Sequence, residues 1–189
     1  MSTGWIVVAV VVVVAVYLIV AFNRLVRQRN VVREGWSGID VQLKRRTDLI
    51  PNLVEIVKGY AKHERSLFEE ITARRAASVA ASDVGGQASA ERALTGSLGK
   101  LMAVAEAYPE LKANQNFLEL QKELADVEDH IQMARRYYNG AVRNLNISIQ
   151  SLPDVLFARL FGFHEQPFFE LESRAEAAVP QVGFPGGAS

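Results

Sequence analysis

The sequence predicts an all-α protein, with one N-terminal transmembrane helix followed by an elongated helical bundle. Three observations carry this. Residues Trp5 to Phe22 are apolar without interruption. Two later stretches place apolar residues at alternating spacings of three and four for five heptads each, the period of helices that pack along their length. Alternating-apolar strand patterns are absent from both stretches.

Composition narrows the function classes. The chain has 189 residues, 21 basic and 21 acidic, so no global charge argues for nucleic acid as a partner. The absence of cysteine excludes disulfides, thiolate metal sites, a cysteine nucleophile and a lipoprotein cysteine. The three histidines are His63, His130 and His164, and none has a glutamate three residues before it, as a di-iron bundle would require. Gly85-Gly86 is followed by Gln87 rather than by the Lys-Ser/Thr of a phosphate loop. No Gly-x-Ser-x-Gly elbow occurs. The expectation is a non-enzyme without metal or cofactor.

The first element is the membrane segment. As a helix, Gly4 to Phe22 would span roughly 28 Å, close to the ~30 Å hydrocarbon core. Trp5 lies near one end, and Tyr17 and Phe22 toward the other, where interfacial aromatics are favoured. A cleaved signal peptide would want a basic leader and a small-x-small cleavage site. Met1-Ser2-Thr3-Gly4 is uncharged, and Val20-Ala21-Phe22 offers a poor site. The reading is an uncleaved anchor at residues 1–22, in contact with membrane lipid through residues 5–22.

Charge sets its expected orientation. Between Asn23 and Arg46 there are seven basic residues against two acidic, an excess of five. Basic flanks stay on the cytoplasmic side. The N-terminus is expected outside, with the body in the cytoplasm at the inner (cytoplasmic) membrane. Attraction to anionic headgroups would add about 1 kcal/mol per charge near the surface.

The body follows over residues 23–172. Its first seam runs Trp36, Ile39, Leu43, Arg46, Ile50, Leu53, Val57, Tyr60, Glu64, Leu67, Ile71. It keeps phase across Pro51, which is therefore read as a kink rather than a break. Ser82 to Gln87 reads as a loop. A shorter helix follows at Ala88–Tyr108, with Leu94, Leu98, Leu101, Ala105 and Tyr108 on one face. Pro109 ends it. The second seam runs Phe117, Leu120, Leu124, Val127, Ile131, Ala134, Tyr138, Ala141, Leu145, Ser148, Leu152, and Pro153 stops it. Helices of this length, about 55 Å for Asn114 to Gln150, make a coiled-coil-like rod. The apolar stretch Val155–Phe169 is expected to fold back on the bundle or lie at the membrane surface. Residues 173–189, rich in Ala, Gly and Pro, read as a disordered tail.

Four blocks resemble a known family. Arg45-Arg46-Thr47-Asp48-Leu49-Ile50-Pro51-Asn52-Leu53-Val54 is similar to the signature of the LemA family. So are Tyr108-Pro109-Glu110-Leu111-Lys112-Ala113-Asn114 with Phe117-Leu118-Glu119-Leu120-Gln121, and Ala134-Arg135-Arg136-Tyr137-Tyr138-Asn139. Leu152-Pro153 with Gly162-Phe163 resembles the family's C-terminal block. The likeness runs from the anchor to about Glu172. It departs at Ser151-Leu152, where an aromatic before the proline is common. The resemblance implies a bacterial single-pass membrane protein with an antiparallel helical bundle and no established enzymatic activity. A related branch is associated with magnetosome membranes, which favours a role in membrane organisation.

The polar residues of these blocks, Arg46, Asp48, Pro51, Asn52, Arg135, Arg136, Tyr138 and Asn139, are the candidate structural or interaction positions. Arg46 falls on the seam, where an unpaired charge would cost several kcal/mol. It needs an acid such as Glu123, Asp126, Glu128 or Glu64. Asp48 can bond amides near the kink or pair with Arg45. Arg135, Arg136, Tyr138 and Asn139 read as a second cluster. A network that fixes helix register is the leading reading, ahead of a partner site.

The short third helix leaves about half of each long helix without a third neighbour, so exposed apolar strips are expected. The function this implies is a membrane-anchored scaffold that forms a homo-oligomer. The alternative is an accessory or sensor subunit of another membrane machine, such as an envelope-stress or protease system, with an unidentified protein partner.

Overall fold

The structure, a computed structural model, describes residues 3–170. Those residues form six helices: α1 (Thr3–Tyr60), α2 (Arg65–Ala80), α3 (Val84–Glu106), α4 (Pro109–Lys112), α5 (Gln115–Gln150) and α6 (Val155–Ala158). No strand occurs among them. The expected tail at 173–189 lies outside the described residues.

Helix α1 is one unbroken element of 58 residues, about 87 Å long. It carries both the apolar segment and the first wall of the bundle. Its N-terminal third is long and apolar enough to cross a membrane, and almost none of that surface is covered by the rest of the chain. A buried core helix would be covered. The expected boundary at residue 22 therefore falls inside a continuous helix.

Helix α5 runs antiparallel to α1. From the far end toward the apolar segment, Tyr60 meets Asn114, Arg46 meets Glu128, Gly35 meets Tyr138, Gln28 meets Ser148 and Arg24 meets Asp154. The helices approach closely at Gly35, where an added Cβ would lie 3.0 Å from the Tyr138 Cα. A side chain there would push the two backbones apart.

The bundle has two halves with different third layers. In the far half, the hairpin of α2 and α3 packs on α1, and Ile50, Leu53, Leu94, Leu101, Ile71 and Phe117 share one core. In the near half only the first turns of α3 reach α1 and α5, through Val84 and Ala88. There the chain after α6 returns along them, and Phe163 and Phe169 complete a core with Leu25, Ile39, Ile131 and Leu145. The gap expected beside the short third helix is filled at this point by the C-terminal segment.

Three sequence expectations are corrected. The first seam is not one helix to Ile71: α1 ends at Tyr60 and α2 begins at Arg65. The polar seam member Glu64 sits in the intervening turn and takes backbone bonds from Leu67 and Phe68. Gly85 and Gly86 are helical rather than loop, because Asp83 caps α3 by accepting the Gly86 N–H at 2.8 Å. Leu152 lies beyond the end of α5 and is exposed. By contrast α1 continues through Pro51 without a break.

Candidate functional site: a buried arginine knot and a C-terminal strap

Arg46 lies on the inner face of α1 and is 2% exposed. Its guanidinium reaches two other helices, α3 and α5. Nη1 donates to Glu91 Oε2 on α3 at 3.1 Å, and Nη2 donates to Thr95 Oγ1 at 2.7 Å. Nη2 also lies 3.5 Å from Glu128 Oε2 on α5. Glu91 is 0% exposed. Its other oxygen accepts from the Ser78 hydroxyl of α2 and from Gln87 Nε2 at 3.0 Å. All four long helices meet in one knot. Of the acids anticipated for Arg46, Glu128 takes part; Glu123, Asp126 and Glu64 do not, and the principal partner is Glu91.

The proline beside the knot has a second role. Pro51 has no N–H, so the Thr47 carbonyl four residues back loses its helical donor. Arg75 of α2 supplies the replacement, with Nε donating to Thr47 O at 2.6 Å. The break in the ladder becomes the acceptor that docks α2 on α1. Asp48 and Asn52 point outward and are exposed. Asp48 pairs at 3.9 Å with Lys44, one turn earlier, rather than with Arg45 or the amides near Pro51. An open pocket of about 300 Å³ adjoins the knot, lined by Asp40, Lys44, Asp48, Arg75 and Gln87 among others.

Arg135, Arg136, Tyr138 and Asn139 do not form one cluster. Arg135 is partly exposed and Arg136 exposed, with Arg136 Nε bonding the Gln132 carbonyl of its own helix at 3.4 Å. Tyr138 and Asn139 face the returning segment 163–170. The Tyr138 hydroxyl donates to Pro167 O at 2.9 Å, and burial raises its pKa above the ordinary tyrosine value. Asn139 makes two bonds to one residue: Nδ2 donates to Phe169 O at 3.1 Å, and Oδ1 accepts the Phe169 N–H at 2.9 Å. Asn146, one heptad on, does the same with Gln166, both bonds at 2.9 Å. Each side-chain amide thus stands in for a strand partner. Aromatic contacts complete the strap: Trp36 packs on Tyr138 and Phe169, and the Arg29 guanidinium lies over the Phe163 ring at 5.2 Å.

Replacing either asparagine should free the strap locally. Asn146→Ala should lower hydrogen-exchange protection of the Gln166 amide and cost about 1–3 kcal/mol through unpaired backbone groups. Asn139→Ala should do the same at Phe169. Unchanged exchange at both amides would mean the strap is not held this way.

Sequence reasoning missed Glu91, Arg75 and Asn146. Only Asn146 left a trace, since it repeats Asn139 at heptad spacing. Asn114, the last residue of the second block, has two tasks. It caps α5 by accepting the Phe117 N–H at 3.1 Å and donates to the Tyr60 hydroxyl at 3.1 Å. Among the described residues no group of three metal-ligating side chains converges.

Comparison with known proteins places these features in a family. The profile of the LemA family matches residues 35–184. The chain is 25% identical to the magnetosome protein MamQ of Magnetospirillum gryphiswaldense, over 87% of this chain and 71% of that protein. It is 27% identical, at the same coverages, to the magnetosome protein MamQ 2 of Paramagnetospirillum magneticum. It is 28% identical to the protein LemA of Metamycoplasma hominis, over 67% of this chain and 58% of that protein.

Proposed function

We propose, starting from the fact that this chain belongs to the LemA family, that it is a membrane-anchored helical scaffold that self-associates at the cytoplasmic membrane. The observation that carries this is the continuity of α1: an uncovered apolar segment runs without a joint into the wall of the bundle. A rigid connection of this kind holds the bundle close to the bilayer. The basic flank from Arg24 to Arg46 supports a cytoplasmic bundle with the N-terminus outside. The magnetosome relatives support a role in organising membranes.

The polar groups of the core support a scaffold rather than an enzyme. Arg46, Glu91, Tyr138 and Asn139 are all engaged in joining helices or holding the strap. Self-association is supported by α5, whose outer face carries Met133, Tyr137 and Ile147, each about half exposed, at heptad-compatible spacing. Two such faces can pack laterally, and confinement to a plane raises their effective concentration.

A second reading, an accessory subunit with a distinct protein partner, is favoured by one feature. An apolar groove of about 670 Å³, with Phe68 in its wall and Lys58, Lys62 and Arg65 around it, opens at the far end of the bundle.

The cysteine-free sequence makes the test clean. Met133→Cys and Ile147→Cys should each form homotypic disulfides in native membranes under mild oxidant. Light scattering in mild detergent should give a mass above one chain. A monomer with no homotypic crosslink would remove the scaffold and favour the accessory subunit.

A further inference from the structure

We propose that the segment around α6 is a second membrane contact, with Leu152, Leu156 and Leu160 inserted into the leaflet on the bundle's side. The inference rests on the reading of residues 5–22 as a membrane span.

The three leucines recur every four residues and are 77%, 70% and 84% exposed. They are the outer face of a small knob whose inner face is well packed. Ala158 and Phe163 are buried in the near core. Phe157 meets the Tyr17 ring edge-on at 6.1 Å, and Phe161 and Phe163 meet Phe22 at 5.5 and 5.6 Å. Tyr17 and Phe22 belong to the last turns of the apolar segment, about 7–8 Å apart along the helix axis. The knob is therefore held beside the span itself. If residues 5–22 cross the bilayer, the leucines lie at the depth of that leaflet's interface. The lipid occupant follows from this continuity with the span.

The polar groups of the knob are arranged for the same depth. Asp154 is its one buried carboxylate, and it is not left bare: the Tyr17 hydroxyl donates to it at 2.7 Å, and Arg24 forms an ion pair with it. Arg159 is exposed beside Leu160, where its long stem can carry the guanidinium to the headgroups. A second contact beside the span restricts the direction in which α1 can tilt in the bilayer.

The test is depth-dependent quenching. Single cysteines at Leu156, Leu160, Val10 and Asn116 in the full-length chain carry an environment-sensitive fluorophore, in vesicles of phosphatidylcholine and phosphatidylglycerol. The quenchers are lipid doxyl-labelled near the headgroup or at mid-chain, and aqueous iodide. Labels at Leu156 and Leu160 are expected to be quenched several-fold more by shallow doxyl lipid than a label at Asn116, and several-fold less by iodide. The label at Val10 is expected to respond to the mid-chain quencher. Knob labels that behave like Asn116 while Val10 is quenched by lipid would overturn the insertion and leave the span standing. Knob labels shielded from both lipid and iodide would mean that protein covers the leucines, and would also overturn it. A label at Val10 open to iodide would remove the span and the insertion together.

Discussion

Arg46→Ala should lower the unfolding free energy of the bundle by about 3–5 kcal/mol, because it strands a buried acid. Glu91 has no exposed surface. Without the guanidinium it would keep only the Ser78 hydroxyl and the Gln87 amide as donors. Thr95 would lose its partner, and Glu128 would lose its tie to α1. The effect comes from orphaning a charge, not from the net worth of the pair. Replacing both partners with apolar side chains, Arg46→Met with Glu91→Leu, should therefore recover most of the loss. A loss below roughly 0.5 kcal/mol for Arg46→Ala, the range of surface substitutions, would place Arg46 outside the core.

Leu145→Ala should cost about 2–5 kcal/mol, the usual range for truncating a buried leucine. Leu145 is 1% exposed and sits in the near core with Leu25, Val32 and Phe163. That core is built mainly from α1, α5 and the strap, with Ala88 of α3 and Ala158 of α6 at its edges. Leu124, on the same seam, lies at the edge of the far core and is partly exposed, so Leu124→Ala should cost less. Denaturation midpoints of the detergent-solubilised chain check both. An unchanged midpoint for Leu145→Ala would mean the seam faces solvent.

Much of the fold was legible because it is written in spacing. The apolar run, the two seams and the face from Leu94 to Ala105 each report a local period, and local periods survive in one dimension. The end of α1 did not show, because the seam keeps phase from Val57 to Leu67 across the turn. Glu91 was hidden for a different reason. A glutamate in an Ala-rich helix reads as a solvent-facing residue, and only the approach of Arg46 gives it a place inside. The strap has no periodicity to detect, since an extended segment is held by the side chains of α5 rather than by its own pattern. Pro51 was legible as tolerated within a helix, while its use as the reason for an acceptor for Arg75 depends on a helix more than twenty residues away.

The placement of the whole bundle rests on α1 crossing the membrane with its first residues outside. Impermeant-maleimide labelling of single cysteines in intact cells tests this most directly. Asn116, exposed near the start of α5 at the far end of the bundle, reports one side, and Ser2 reports the other. The expected result is a labelled Ser2→Cys and an Asn116→Cys that is labelled only after the membrane is permeabilised. Labelling of Asn116→Cys in intact cells, with Ser2→Cys protected, would contradict it.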